Sequence, residues 1–333
     1  MNWNILGHES AIRYFKNQTK VGNTRHAYLI VGPDGVGRRT LALAFAKALN
    51  CTQAPQEGDF CDECLACRQI NEQRYPDLTV LEVEEGSKDI KIDQVREMQQ
   101  TLALSPYQSR FRMVLIADFQ RATIGASNAL LKSLEEPPSK ALLILTADAK
   151  ESLLETIASR CEVIRLRPSP IEKLESFLKE EKGLEAKLAK KLAHLAAGRV
   201  GTAIAYSQDP QSLDDYTEAL EDLNHLLKSK LRRRLQYIEK YQAKKGNQRE
   251  KFAFLIATWL SFWRDVMIRH EKADIPLVNL DQVDLIEETA ELMNSRQIEN
   301  ILKVHETSLG QLDANLNPRL VIENLLLQLP VIG

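Results

Sequence analysis

Residues 27–50, AYLIVGPDGVGRRTLALAFAKALN, contain an apolar run, a glycine-rich loop and a helical pattern in immediate succession. The run AYLIV is typical of a buried strand, and LALAFAKALN carries apolar residues at helical spacing. The segment between them, GPDGVGRRT (32–40), stands where a phosphate-binding loop is expected. This stretch therefore predicts a strand, a loop and a helix, the first unit of an α/β domain.

The same alternation continues over about 165 residues, because helical patterns separate the apolar runs that follow. Four of these runs are expected to be strands: DLTVLEV (77–83), FRMVLIAD (111–118), ALLILTA (141–147) and CEVIRLR (161–167). Buried strands that alternate with helices indicate a parallel sheet flanked by helices. Ligands of such sheets bind beyond the carboxyl ends of the strands, where the glycine-rich loop should lie.

Two prolines in RPSP (167–170) end the strand pattern, and the sequence after them is helical throughout. We therefore expect three domains: an α/β module at 1–167, a small helical unit at 168–207 and a larger all-helical domain at 208–333. The helices between about 213 and 329 carry more apolar positions than one small bundle needs, for example FAFLIATWLSFW (252–263). We expect some of these positions to contact other subunits.

Composition excludes several classes of protein. The chain has 333 residues, a formal net charge of −2, 44% hydrophobic and 27% charged residues, which is ordinary for a globular protein. No global basic field draws it to nucleic acid. The start of the chain lacks the features of a secretory signal, and no apolar segment reaches the roughly 18 residues of a membrane span. We predict a cytoplasmic protein.

The glycine-rich loop lacks two functional side chains of a phosphate-binding loop. Gly32 and Gly37 keep its frame, but Arg38 stands at the lysine position and Arg39 at the hydroxyl position that ligates Mg²⁺. Arginine and the helix N-terminus can still attract an anion, or the turn retains only its shape. In either case we do not expect hydrolysis.

A second loss points the same way. In phosphate-loop ATPases an apolar strand ends in an aspartate that holds Mg²⁺. In MVLIADFQ the strand ends at Ala117 and Asp118, and if Ala117 takes that position the carboxylate is missing. Two independent losses predict an inactive ATPase site.

Four of the five cysteines lie close together in the sequence: Cys51, Cys61, Cys64 and Cys67. Two C-x2-C spacings inside a polar segment, with a fourth cysteine at the end of a helix, predict a four-thiolate zinc site. Such a site has no open position for catalysis, so the zinc is expected to be structural. Free thiols and an iron–sulfur cluster are the alternatives.

Two arginine-containing segments have an ordinary explanation beside a functional one. Arg160, in SRC (159–161), lies between a helix and a strand, where a surface salt bridge is common. KSKLRRR (228–234) has the charge of a nucleic-acid patch, but in a helix near many acids a solvated face is expected.

Several segments together resemble one family, the delta-prime subunits of the bacterial DNA polymerase III clamp loader, which are AAA+ proteins. The resemblance runs from about residue 7 to 329, and it is carried by the cysteine segment and by HAYLIVGPDGVGRRTLALAFAKALNC, IDQVREMQQ, SNALLKSLEEPP, SRC and NLNPRLVIENLLL. SNALLKSLEEPP and SRC occur also in the ATP-hydrolysing gamma/tau subunits, whereas the altered loop and Ala117 favour delta-prime.

The resemblance implies an AAA+ module with a zinc-binding insert (51–67), a helical lid and a C-terminal helical collar. It implies that Arg160 is an arginine finger, that Thr146 is the sensor 1 residue and that Gly201 replaces the sensor 2 arginine. ATP binding by this chain is in doubt, since the loop has no lysine. The chain is then a stator without activity of its own, within a DNA-directed DNA polymerase holoenzyme.

The partners implied by the resemblance are the gamma/tau and delta subunits in a five-subunit ring and, through that complex, the sliding clamp and primer–template DNA, with no membrane. Two alternatives are an ATP-hydrolysing gamma/tau-type subunit and a zinc-dependent nucleic-acid-binding protein. The first needs lysine and threonine where Arg38 and Arg39 stand. The second needs a basic knuckle, but DFCDECLACRQ has three acids and one arginine.

Overall fold

The computed structural model describes residues 3, 5–20, 23–242 and 247–332. They form two compact units. One comprises Met1–Phe177 and Gly198–Thr202, and the other comprises Leu178–Ala197 and Ala203–Gly333. No helix in the described part of the chain is long and apolar enough to cross a membrane.

The first unit is built on a five-stranded parallel sheet with the strand order β2-β3-β4-β1-β5. The strands are β1 (Ala27–Val31), β2 (Leu78–Leu81), β3 (Arg112–Ile116), β4 (Ala141–Ala147) and β5 (Glu162–Arg165). The central pair is in register from Ala27 opposite Leu143 to Val31 opposite Ala147. The parallel sheet and helical C-terminal region predicted from the sequence are confirmed.

Helices cover both faces of this sheet. They are α1 (Glu9–Gln18), α2 (Arg38–Asn50), α3 (Leu65–Asn71), α4 (Ile92–Leu102), α5 (Ile124–Glu135) and α6 (Glu155–Ala158). Successive strand residues point to opposite faces, so Tyr28 and Ile30 pack in one core while Leu29 packs in the other. Because both faces are buried, the strands are continuous apolar runs.

The remaining helices follow in chain order, and α7 and α9 each contribute residues to both units. They are α7 (Ile171–Glu180), α8 (Ala186–Leu195), α9 (Val200–Gln208), α10 (Pro210–Leu227), α11 (Leu231–Gln242), α12 (Gln248–His270), α13 (Val283–Leu292), α14 (Ser295–Asp313) and α15 (Pro318–Gln328).

The apolar segment 252–263 is the central part of α12, and its largest side chains are buried inside the second unit. Trp259 and Trp263 are fully buried, and Phe252 and Phe262 are each 1% exposed. These four side chains therefore belong to the core of the unit, and the expected subunit contacts of the helices between about 213 and 329 stay a prediction for other positions. A helix that is packed on several sides is apolar on several sides, and the sequence pattern alone does not distinguish that case from an interface.

Candidate functional site

The glycine-rich loop joins the carboxyl end of β1 to the start of α2 and opens into a cleft of about 370 Å³. Gly35 (φ 75°) and Gly37 (φ 104°) have left-handed backbone angles that favour glycine. Gly37 is the N-cap of α2 and supplies no side chain to cap the helix. The first backbone N–H groups of α2 therefore face the cleft, the geometry that attracts anions.

Arg38 lies inside this cleft instead of a lysine. Its side chain is only 7% exposed, and its Nη2 lies 2.8 Å from Oδ1 of Asp118. Asp34, on the exposed side of the loop, is 3.5 Å from the same nitrogen. Nη1 has no hydrogen-bond partner in the part of the chain that the structure describes. The carboxylates of Asp118 and Asp34 thus oppose the positive charge of Arg38, while its Nη1 is left buried without a partner among the described residues.

Arg39 stands at the position where a phosphate loop has its hydroxyl, and it pairs with Glu82, which also lines the cleft. Its Nη1 lies 2.6 Å from Oε2 of Glu82, and its Nη2 donates to Oε1 of Gln73 at 2.8 Å. An arginine side chain has only N–H donors and no oxygen, so Arg39 cannot ligate a metal ion. The guanidinium of Arg39 is thus paired with side chains of its own chain.

The ends of β3 and β4 form the opposite wall of the cleft. Ala117 presents only a methyl group there, and it is buried. Thr146, at the end of β4, accepts a hydrogen bond at 2.9 Å from the backbone N–H of Asp118. Asp118 has a left-handed backbone angle (φ 51°) and its carboxylate pairs with Arg38. The carboxylate that remains at this wall is therefore engaged by an arginine.

Gly201 closes the cleft by a backbone contact within the same unit. Its N–H donates to the carbonyl oxygen of Gly35 at 2.7 Å. A Cβ at position 201 would lie 2.9 Å from that oxygen, closer than real Cβ atoms approach. The close approach requires glycine, so position 201 contributes no charged side chain to the cleft.

The four clustered cysteines lie together elsewhere in this unit, with all their sulfur atoms within 4.8 Å of one another. The Sγ atoms of Cys51 and Cys61 are 3.6 Å apart, and those of Cys51 and Cys64 are 3.9 Å apart. Thiolates about 2.3 Å from a tetrahedral ion are about 3.8 Å from one another. The cluster therefore has the spacing of a four-thiolate metal site.

The surroundings favour the thiolate form of Cys64, whereas burial raises the pKa of Cys51 and of Cys67 in the absence of a metal ion. Burial raises the pKa of Cys64, but backbone hydrogen bonds from Cys67 and Thr52 outweigh it and lower that pKa to about 6. Backbone N–H groups of Cys61 and Cys64 donate to Sγ of Cys51 and Cys61, respectively. Such N–H···S bonds orient the sulfurs and stabilise their negative charge.

Arg160 follows α6 in the turn before β5 and is not among the described residues that line the cleft. Its Nη1 donates to the carbonyl oxygen of Thr156 at 2.8 Å, and its Nη2 lies 2.8 Å from Oε1 of Glu135. The side chain is 36% exposed. Arg160 is thus both a salt-bridge partner and an accessible guanidinium.

Sequence reasoning missed the acidic partners of the three arginines: Asp118, Glu82 and Glu135. Only the first had a signal, because an arginine at the lysine position needs a nearby carboxylate when it is buried. The other two partners are 43 and 25 positions away from Arg39 and Arg160 in a fold whose loops bring them together. Periodicity within an element carries no information on such pairs.

Two family models match the chain. Residues 7–170 match the model described as DNA polymerase III, delta subunit. Residues 210–330 match the model described as DNA polymerase III, delta subunit, C terminal.

Curated relatives carry names from the same polymerase. DNA polymerase III subunit delta' of Pseudomonas aeruginosa is 41% identical over 136 residues, 41% of each chain. Subunit gamma of Buchnera aphidicola is 32% identical over 205 residues, 60% of this chain and 56% of that one. Subunit delta' of Bacillus subtilis is 25% identical over 331 residues, 94% of this chain and 93% of that one. The chain thus spans about half the length of the first two.

Proposed function

We propose that this chain, which belongs to the DNA polymerase III delta subunit family, is a clamp-loader subunit of the delta-prime kind. In this role it hydrolyses no ATP and assists hydrolysis in a neighbouring subunit. The observation that carries the proposal is the ion pair between the buried Arg38 and the partly exposed Asp118 in the cleft. It puts a protein cation and a protein carboxylate where an active enzyme binds Mg²⁺ and nucleotide phosphates.

Phosphoryl transfer in a phosphate-loop ATPase depends on positioned charges around the γ phosphate and its Mg²⁺. Here the metal-binding hydroxyl is replaced by Arg39, and the carboxylate by Ala117. Gly201 has no side chain and therefore adds no positive charge to the cleft. These changes remove metal coordination and transition-state stabilisation together, so we infer that the chain has no turnover of its own.

Arg160 is the group through which the chain acts on ATP. An arginine supplied in trans stabilises the charge that develops on the γ phosphate, by a factor of about 10³ to 10⁵ in other systems. Its planar, always charged guanidinium binds phosphate in a bidentate fork. Accessibility at the edge of the module supports this role for Arg160, because a neighbour can reach it.

The chain is proposed to join a five-subunit ring with gamma/tau and delta subunits through its C-terminal helices. Exposed leucines support this. Leu320 and Leu327 lie seven residues apart on one side of α15, and Leu231 and Leu235 lie four apart on α11. Large apolar side chains that are exposed on one side of a helix are candidates for an interface. Through the ring, the chain serves the sliding clamp and primer–template DNA in the cytoplasm.

Zinc is the metal proposed for the cysteine cluster, in a structural role. Zinc prefers tetrahedral thiolate sets, and the four cysteines would fill every position around it. Surrounding contacts fix the insert: Lys47 pairs with Asp62 and lies over the ring of Phe60, 4.1 Å from its centroid. When bound, the ion would add folding energy to this insert and no chemistry.

The experiment that tests the proposed lack of activity is ATP turnover by the purified full-length chain with Mg²⁺. We expect no phosphate release above a protein-free control. We expect turnover only after partner ATPase subunits are added. Robust hydrolysis by the chain alone would overturn the proposal and favour the gamma/tau-type alternative.

A further inference from the structure

The guanidinium of Arg160 is held by two acceptors of its own chain while it remains accessible. Nη1 donates to the carbonyl oxygen of Thr156, and Nη2 pairs with the carboxylate of Glu135, each at 2.8 Å. An arginine has five N–H donors in a fixed plane. Two acceptors on separate elements therefore fix that plane and leave three donors for an external anion.

Both acceptors are attached to the core of the module. Glu135 is the last residue of α5, and the residue before it, Leu134, is 2% exposed. Thr156 lies in α6 and is followed by the buried residues Ile157 and Ala158. All three buried neighbours belong to one apolar cluster on one face of the sheet. The two acceptors thus have fixed positions relative to the sheet.

We propose that Glu135 is a positioning residue that orients Arg160 toward the nucleotide of the neighbouring subunit. The inference rests on the proposed role of Arg160 as an arginine finger. A long side chain with a free end samples many rotamers, and few of them point the fork at a phosphate in the neighbour. An ion pair to a fixed carboxylate restricts that set before the neighbour arrives, which is preorganisation.

The exposure of the pair matches this role better than a stabilising one. Glu135 is 50% exposed and Arg160 is 36% exposed, and ion pairs at such sites contribute little to folding. The pair therefore does not compete strongly with a phosphate group, which carries more charge. Glu135 directs the arginine without retaining it.

The test uses the assembled complex and compares Glu135→Gln with Glu136→Gln. Glu136 is the next residue, is exposed and has no ion pair among the described residues, so it is a matched control for the loss of one negative charge. The quantity measured is Arg160-dependent ATP turnover. For each complex it is the rate of that complex minus the rate of the Arg160→Ala complex. Thermal unfolding and complex mass are recorded for every variant.

We expect Glu135→Gln to lower the kcat of this turnover about tenfold with unchanged KM, since small misplacements of reacting groups cost up to about 10²-fold. Glu136→Gln should match the wild type. In the Arg160→Ala background, Glu135→Gln should have no further effect, because Glu135 acts only through the arginine. Unfolding temperature and complex mass should not change, whereas a structural role for Glu135 would require one of them to fall.

Other outcomes overturn the inference in distinguishable ways. If Arg160→Ala lowers turnover while Glu135→Gln and Glu136→Gln behave alike, Glu135 does not position the arginine and the proposed function stands. An increase with Glu135→Gln would show that the carboxylate competes with the phosphate. An equal loss in the Arg160→Ala background would assign Glu135 another role. No effect of Arg160→Ala would remove the proposed function and this inference together.

Discussion

Asp118→Asn tests the claim that the cleft is neutralised by the chain itself. The variant keeps the shape of the side chain and removes the charge that faces Arg38, whose side chain is 7% exposed. At about 4 Å between charge centres and an effective dielectric constant of about 20, the pair attracts by about 4 kcal/mol. Desolvation of the arginine and the 42% exposure of Asp118 offset much of this attraction. We expect a net loss of about 1 to 2 kcal/mol in the free energy of unfolding.

The assay is urea unfolding at pH 7 and low salt, followed by circular dichroism. With an m-value of about 3 kcal/mol per M, the midpoint should fall by about 0.5 M. The matched control is Asp34→Asn, because Asp34 faces the same Nη2 at 3.5 Å but is 95% exposed. The control should unfold like the wild type. Equal midpoints for both variants and the wild type would refute the reasoning that Asp118 neutralises the buried Arg38.

Three further predictions concern the metal, the ring and pH. The chain should bind about one zinc ion, measured by elemental analysis. The Cys64→Ser variant should lose the zinc, whereas the Cys161→Ser variant, altered outside the cluster, should retain it. Wild-type protein without zinc would contradict the site. Leu320→Glu should weaken ring assembly while Leu292→Glu, on a residue of equal exposure, should not, as read from complex mass; equal assembly by both variants would contradict an interface at α15. Burial lowers the pKa of His305 to about 4, below the value of about 6.5 in the unfolded chain, so the unfolded chain binds the proton first. The free energy of unfolding should therefore fall as the pH drops from about 6.5 to about 4, by up to about 3 kcal/mol. His305→Leu should flatten that slope in urea unfolding at pH 7 and 4.5, and an unchanged slope would contradict the assignment.

The sequence predicted the α/β module well because its signals are local. The run 27–31 is apolar at every position since both faces of a parallel sheet are covered, and Gly35 and Gly37 carry the left-handed angles that a glycine-rich turn needs. The ends of the strands were predicted less accurately than their presence. The run 77–83 was expected to be strand throughout, but β2 is Leu78–Leu81.

Tertiary pairing is the part that local patterns do not contain. The segment KSKLRRR (228–234) was expected to be a solvated face, which holds for Arg232 and Arg233 but is wrong for Arg234, which is buried. Arg234 donates to the carbonyl oxygens of Leu226, Ser229, Leu326, Leu329 and Pro330. Helix ends leave carbonyl groups without partners, and only the fold shows that two such ends meet at one arginine.

At the candidate site, sequence reasoning supplied the residues but not their partners. Arg38 and Ala117 were recognised as losses from a working ATPase site. The ion pair that connects the loop to Asp118, 80 positions away, came only from the structure. The cysteine cluster was more predictable, because C-x2-C spacing itself brings thiolates together.

The most direct test of the central claim is ATP hydrolysis by the complete complex, with clamp and primed DNA, carrying Arg160→Ala in this chain. The account predicts that the variant folds, retains its zinc and assembles at wild-type mass, yet loses most stimulated hydrolysis at the neighbouring site and loads the clamp poorly. Arg160→Lys should restore only part of the activity, because lysine lacks the bidentate fork. Wild-type hydrolysis and loading by an intact Arg160→Ala complex would contradict the claim that this chain contributes an arginine to its neighbour's ATP.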